Sequence, residues 1–192
     1  MQRTSGIAQE AARIVCEELM TDYGAAKKKA LARLGLPPRT ALPDNAQVQQ
    51  AVIEYQQLFG GAKYREHLHR MRAAALQAMQ LLAAYSPRLA GAVVTGAVTT
   101  AHHVQLHAAC ERAEQLEIFL QNRGAKVEQD ERNYRYPGGR EERIPVVSFE
   151  MAGVGIDVAV FDHEGAHQVP LNPLDGKPFR RLDAVAVATL AG

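Results

Sequence analysis

Residues Gly91 to Leu106 read GAVVTGAVTTAHHVQL. Two glycines, Gly91 and Gly96, stand five positions apart, and His103 and Gln105 follow the first by twelve and fourteen. From here the apolar period becomes two, with Val104, Leu106 and Ala108 alternating with His103, Gln105 and His107. That period predicts a strand with one apolar and one polar face, the polar face being where chemical groups would project.

Outward from this stretch the pattern is strand, helix, then strands. A helix is predicted over about Glu111 to Arg123, carrying Ala113, Leu116, Phe119 and Leu120, with Gly124 as its stop. A polar strand then reaches Tyr136, Pro137-Gly138-Gly139 reverses the chain, and IPVVSFEM and VGIDVAVF form an antiparallel pair. The tail holds a Pro-Leu-Asp-Gly turn and a short final helix.

The first 85 residues read as helices. Ile7, Ala11, Ile14, Val15 and Leu19 form one apolar stripe, and Tyr23, Ala26, Ala30, Leu31 and Leu34 another, ended by Gly35 and Pro37-Pro38. Asp44 and Gln47 have capping-box spacing before a core face of Val48, Ala51, Val52, Tyr55, Leu58 and Phe59, and Gly60-Gly61 is the predicted stop. A longer helix turns Leu68, Met71, Ala75, Ala78, Met79 and Leu82 inward until Ser86-Pro87. The expected class is α+β, with a helical region over 1–85 and a small mixed or antiparallel sheet domain over 86–192.

The glycine and strand spacing resembles that of the DNA polymerase β-like nucleotidyltransferases of the small type, over roughly residues 86 to 161. In that family a Gly-Ser pair ends the first strand, a second Gly follows five residues on, and the next strand carries Asp-x-Asp about twelve residues after the first Gly. The resemblance implies nucleotide-binding positions at Gly91, Ala92 and Gly96, and metal-binding positions at His103, Gln105 and Asp157. Ala92 stands where the family has Ser, while His103 and Gln105 replace two of its three carboxylates. Only Asp157 keeps the expected chemistry. Mg²⁺ prefers carboxylate and phosphate oxygens in octahedral geometry, and two ions about 4 Å apart need carboxylates to bridge them. The expectation is a degenerate centre in a protein that retains a nucleotide- or partner-binding role, with Mg²⁺ relevant only if transfer survives. Family members also work with helical partner proteins, which the resemblance extends to the N-terminal helices.

Other chemistry competes for the same residues. His103, Gln105, His107 and Asp157 would form a polar cleft, and two imidazoles with a carboxylate suit Zn²⁺, Ni²⁺ or Fe²⁺ better than Mg²⁺. However, four residues of strand separate His103 from His107 by about 13 Å, too far for one ion. An enzyme with altered chemistry would use one of these histidines as a general base. His163-Glu164-Gly165-Ala166-His167 satisfies H-E-x-x-H, but this zinc-protease pattern works only on a helix, and here Gly165 and Pro170 predict a turn. Arg180-Arg181 reads as a solvated basic pair, with phosphate binding as the alternative.

Lys27-Lys28-Lys29 and Arg33 are the sequence's candidates for contact with RNA or phosphate, Lys29 and Arg33 sharing a helix face at i and i+4. A solvated helix face is the default reading. With no Trp and few aromatics, base stacking has little support. The net charge is +1; residues 1–85 hold 11 Lys+Arg against 7 Asp+Glu, and 86–192 hold 11 against 14. At 192 residues and 47% hydrophobic, 22% charged composition, the chain can bury a real core. No run approaches the roughly 18 apolar residues of a membrane span, and the first residues lack a secretory apolar core, so no membrane association and a cytoplasmic setting are expected. Cys16 and Cys110 are expected to be reduced thiols.

Overall fold

The computed structural model describes residues 2–191 and has the α+β class expected. It divides into two compact units, one comprising the residues up to Leu68 with Thr95–His102, the other His69–Val94 with the residues from His103 onward.

In the first unit, α1 (Gln2–Glu17) packs against α2 (Tyr23–Arg33) and α3 (Asn45–Tyr55). The stripe of α1 is buried through Ile7, Ala11, Ile14 and Val15, against Tyr23, Ala26 and Ala30 from α2 and Val48 and Val52 from α3. Asp44 caps α3 in a full capping box, its side chain accepting from the Gln47 backbone while the Gln47 side chain accepts from the Asp44 N–H. Asp22 caps α2 by accepting from the N–H groups of Gly24 and Ala25. Burial pushes the Cys16 thiol up to about 12, and both Cys16 and Cys110 are free.

Four residues assigned to the apolar stripes are exposed instead: Leu19, Leu34, Leu58 and Phe59. Leu19 lies beyond the end of α1 with φ of 55°, and Leu34 is the C-cap of α2. Leu58 and Phe59 sit in a π-helical turn, Gln56–Gly60, whose wider winding rotates them off the stripe that Val48 and Val52 define. Gly60-Gly61 does not stop the helical path either. Gly61, at φ 55°, kinks it, and α4 (Gly61–Leu81) begins at once.

The second unit is built on a five-stranded sheet. Its strands are β1 (Arg88–Ala90), β2 (Val104–Ala109), β3 (Glu128–Arg135), β4 (Glu141–Met151) and β5 (Val154–Phe161), in the order β1-β2-β5-β4-β3. Only β2 and β5 run parallel. One sheet face carries Val104, Leu106, Ala108, Val147, Phe149, Ile156, Val158 and Val160, all buried. α6 (Ala113–Gln121), with Leu116 and Leu120 buried, lies against β4. The last part of α4 buries Met71, Ala75, Ala78 and Met79, and Arg72 donates to the carbonyls of Val93 in α5 (Ala92–Thr95) and Leu190 in α7 (Ala184–Ala191). No helix among the described residues is long and apolar enough to cross a membrane.

The displaced stripe residues make a direct test. Phe59→Ser is expected to change unfolding free energy in urea by no more than about 0.5 kcal/mol, as at an ordinary surface position. Ile14→Ala, in the fully buried part of α1, should lose about 2–5 kcal/mol.

Candidate functional site

The other sheet face carries the polar groups. Strand register places Ala90, Gln105, Asp157, Ser148 and Glu128 in one row across the five strands. Asp157, in the middle, is 6% exposed. Its Oδ1 accepts from the Ser148 hydroxyl at 2.9 Å and from His103 Nδ1 at 2.9 Å. Its Oδ2 accepts from the Arg132 guanidinium, which reaches over from β3. Burial alone would raise the Asp157 pKa, but the hydrogen bonds from His103 and Arg132, the Arg132 charge and the Ser148 hydroxyl outweigh it and hold the group below its ordinary value. Asp157 is therefore a carboxylate, and an ionised carboxylate only accepts. His103 must then donate from Nδ1.

Two glycines make room for these side chains. A Cβ on Gly155 would lie 2.6 Å from the His103 ring, so the imidazole packs directly on the β5 backbone. Gly91, at φ 76°, turns the chain between β1 and Ala92, the first residue of α5, and a Cβ there would collide with the Gln105 amide. Gly91, Gln105, Asp157 and His103 thus belong to one neighbourhood. Gly96, at φ 88°, belongs to the first unit, where its carbonyl accepts from the Tyr64 hydroxyl at 2.8 Å.

His107 shares the sheet face of Gln105 but not a polar cleft. It is 3% exposed, and its ring packs against Tyr134, Phe161 and Phe179 at centroid distances of 5.6, 5.0 and 5.1 Å. The C-terminal segment that delivers Phe179 also brings Arg181, whose Nε donates to His107 Nδ1 at 2.9 Å. Burial, with the positive charges of Arg181 and Arg132, pulls the His107 pKa down to about 3. It is a neutral core imidazole. The expected solvated pair Arg180-Arg181 is likewise corrected, because Arg181 is half-buried and folded onto the sheet.

Mg²⁺ in a two-ion arrangement does not fit this donor set. Asp157 has both oxygens engaged by protein donors, its row neighbour Gln105 is a neutral amide, and the row's other carboxylate, Glu128, stands two strands away on β3. Among the described residues, no three His, Cys, Asp or Glu side chains gather to hold a metal. His163 and His167 flank a short 3₁₀ turn, Gly165–His167, so H-E-x-x-H lacks its helix here. In the helical unit, Lys29 pairs with Glu18, and Arg33 pairs with Glu18 at 2.6 Å and Glu10 at 3.5 Å. Lys29 and Arg33 thus tie α2 to α1.

Sequence reasoning missed Arg132 and Ser148, and it picked out Arg181 without foreseeing its contact with His107. Arg132 sits in the run EQDERNYR, whose charges all look alike until β3 is registered on β4. Compared with protein-family models, curated proteins and solved structures, the chain has no match.

The buried imidazole makes stability depend on pH. In the unfolded chain His107 returns to about 6.5, so as pH falls below that value the unfolded state takes up the proton first. Its contribution is complete above about pH 6.5 and is lost toward pH 3, at up to about 1.4 kcal/mol per pH unit. Urea unfolding at pH 7, 6 and 5 should show this slope, and His107→Gln should flatten it; an unchanged slope in the variant would refute the assignment.

Proposed function

We propose that the second unit is a nucleotidyltransferase-like domain that does not carry out standard two-metal nucleotidyl transfer and that serves a binding role, for a nucleotide or a partner. The observation that carries this is the state of Asp157. The one carboxylate left in the family's metal-binding pattern is ion-paired with Arg132 and hydrogen-bonded by His103 and Ser148. A guanidinium supplies, within the protein, the positive charge that a metal would otherwise bring to that oxygen. Two arrangements support the family frame: the positive-φ turn at Gly91 directly after β1, and the pairing of Gln105 with Asp157 on the parallel strands β2 and β5.

A second reading has its own observation. The Asp157 carboxylate orients His103, and that side chain is 55% exposed. A carboxylate holding one ring nitrogen of a half-exposed imidazole is the arrangement of a general base. On this reading the unit is an enzyme with altered chemistry whose proton acceptor is His103 Nε2. RNA binding through Lys29 and Arg33 has no comparable support, since both are paired with Glu10 and Glu18.

Thermal unfolding with ATP, GTP, CTP and UTP, each with and without Mg²⁺ or Mn²⁺, tests the binding role. A nucleotide at 100 times its dissociation constant should add about 2.7 kcal/mol, and the gain should be the same without metal. Mg²⁺-dependent transfer from any of the four triphosphates, lost in Asp157→Asn, would overturn the proposal.

A further inference from the structure

A separate cavity lies at the carboxyl ends of the parallel strands β2 and β5, within the second unit. It measures about 340 Å³, and its polar lining is Ser86, Arg88, His107, His163, His167 and Arg181. The remaining lining residues are Ala108, Ala109, Phe161 and Ala166, so no carboxylate accompanies the two arginines among the described residues that form its wall. Arg88 pairs with Asp183, 3.4 Å away and outside the cavity lining.

Two donor nitrogens of residues in this wall lack acceptors. His107 is neutral and takes the Arg181 Nε–H on its Nδ1, so its proton sits on Nε2. Nε2 is fully buried and has no hydrogen-bond partner among the described residues; the same is true of Arg181 Nη2. Both are donors. An unmet buried donor costs about 1–3 kcal/mol, and native structures seldom leave one without a reason. Arg181 is also held firmly, by His107 through Nε, by the Ala166 carbonyl at 2.9 Å through Nη1, and over the Phe161 ring at 5.1 Å. A guanidinium fixed on three sides with its last amino group unused is pre-organised for an anion.

We propose that this cavity binds a phosphoryl group, held by Arg181, His107 and Arg88, with Ser86, His163 and His167 completing the shell. The donors come from four separate segments, namely the stretch holding Ser86 and Arg88, β2, the 163–167 turn and the segment before α7. Donors converging from several sides suit a tetrahedral oxyanion, whereas a planar carboxylate offers only two oxygens in one plane. Two arginines with no acid in the wall suit a dianion better than a monoanion. The H-E-x-x-H residues then have a place: they are two imidazole-bearing ends of a turn that closes over an anion. The site does not rest on the nucleotidyltransferase reading, because Asp157 and Gln105 take no part in it.

The test is calorimetric titration of the full chain, purified without a His-tag, with inorganic phosphate, glycerol phosphate and acetate at matched ionic strength. Saturable phosphate or glycerol phosphate binding is expected, weakened at least tenfold in Arg88→Gln and in Arg181→Lys. Arg143→Gln, an exposed β4 position outside the cavity, should bind like the parent. Tighter binding of glycerol phosphate than phosphate would mark the natural ligand as a phosphate ester, and equal binding would mark it as phosphate itself. Since Arg181 also holds the 163–167 turn, Arg88→Gln decides the matter if Arg181→Lys fails to fold. Binding of neither phosphate species, affinity unchanged in Arg88→Gln, or acetate binding as tightly as phosphate would overturn the proposal.

Discussion

The Asp157 carboxylate joins more of the second unit than any other polar group. It stands on β5, takes a hydroxyl from β4, a guanidinium from β3 and an imidazole from His103, the residue just before β2. Three of the five strands and the residue leading into a fourth therefore meet at one buried charge. Such a charge is tolerated only when paired and hydrogen-bonded, and removing one partner of a buried pair typically costs about 3–5 kcal/mol. Both Gly155 and Gly91 follow from it: the first lets His103 lie on the β5 backbone, the second clears space for the Gln105 amide beside Asp157.

The same sheet face has two different ends. Toward the start of β2 and β5, polar side chains meet solvent, with His103 more than half exposed. Two residues further along each strand, the C-terminal segment covers the face, and Tyr134, Tyr136, Ile144, Val146, Ala159 and Phe161 form a small second core with Phe179. His107 falls on the covered side and Gln105 on the other, although they are neighbours in a period-two pattern. The covering segment decides which polar residue stays polar in function and which becomes a neutral part of the core.

This explains how much of the molecule could be read in advance. Local signals were legible: the capping box at Asp44, the stripes of α1 and α3 as far as Val52, the reversal at Pro137-Gly138-Gly139 and the period-two strand after His103 all depend on residues close in sequence. So was the meeting of His103, Gln105 and Asp157, since register follows from which face of each strand is apolar. The pairing of Arg132 with Asp157 was not legible, because it needs the order of β5, β4 and β3 and a side chain that crosses the intervening strand. Nor was the burial of Arg181, which depends on a non-repetitive segment folding back onto β2. Leu58 and Phe59 fit a helical stripe on paper and leave it because one turn winds wider than an α-helix.

A protein cation, rather than a metal, holds Asp157 ionised. A pH titration of the Asp157 side-chain carboxyl by ¹³C NMR, in metal-free buffer, measures this directly. The expected midpoint lies below the ordinary value for an aspartate, and it should rise in Arg132→Ala. A midpoint at or above the ordinary value in the parent protein, or one that Arg132→Ala leaves unchanged, would contradict the account.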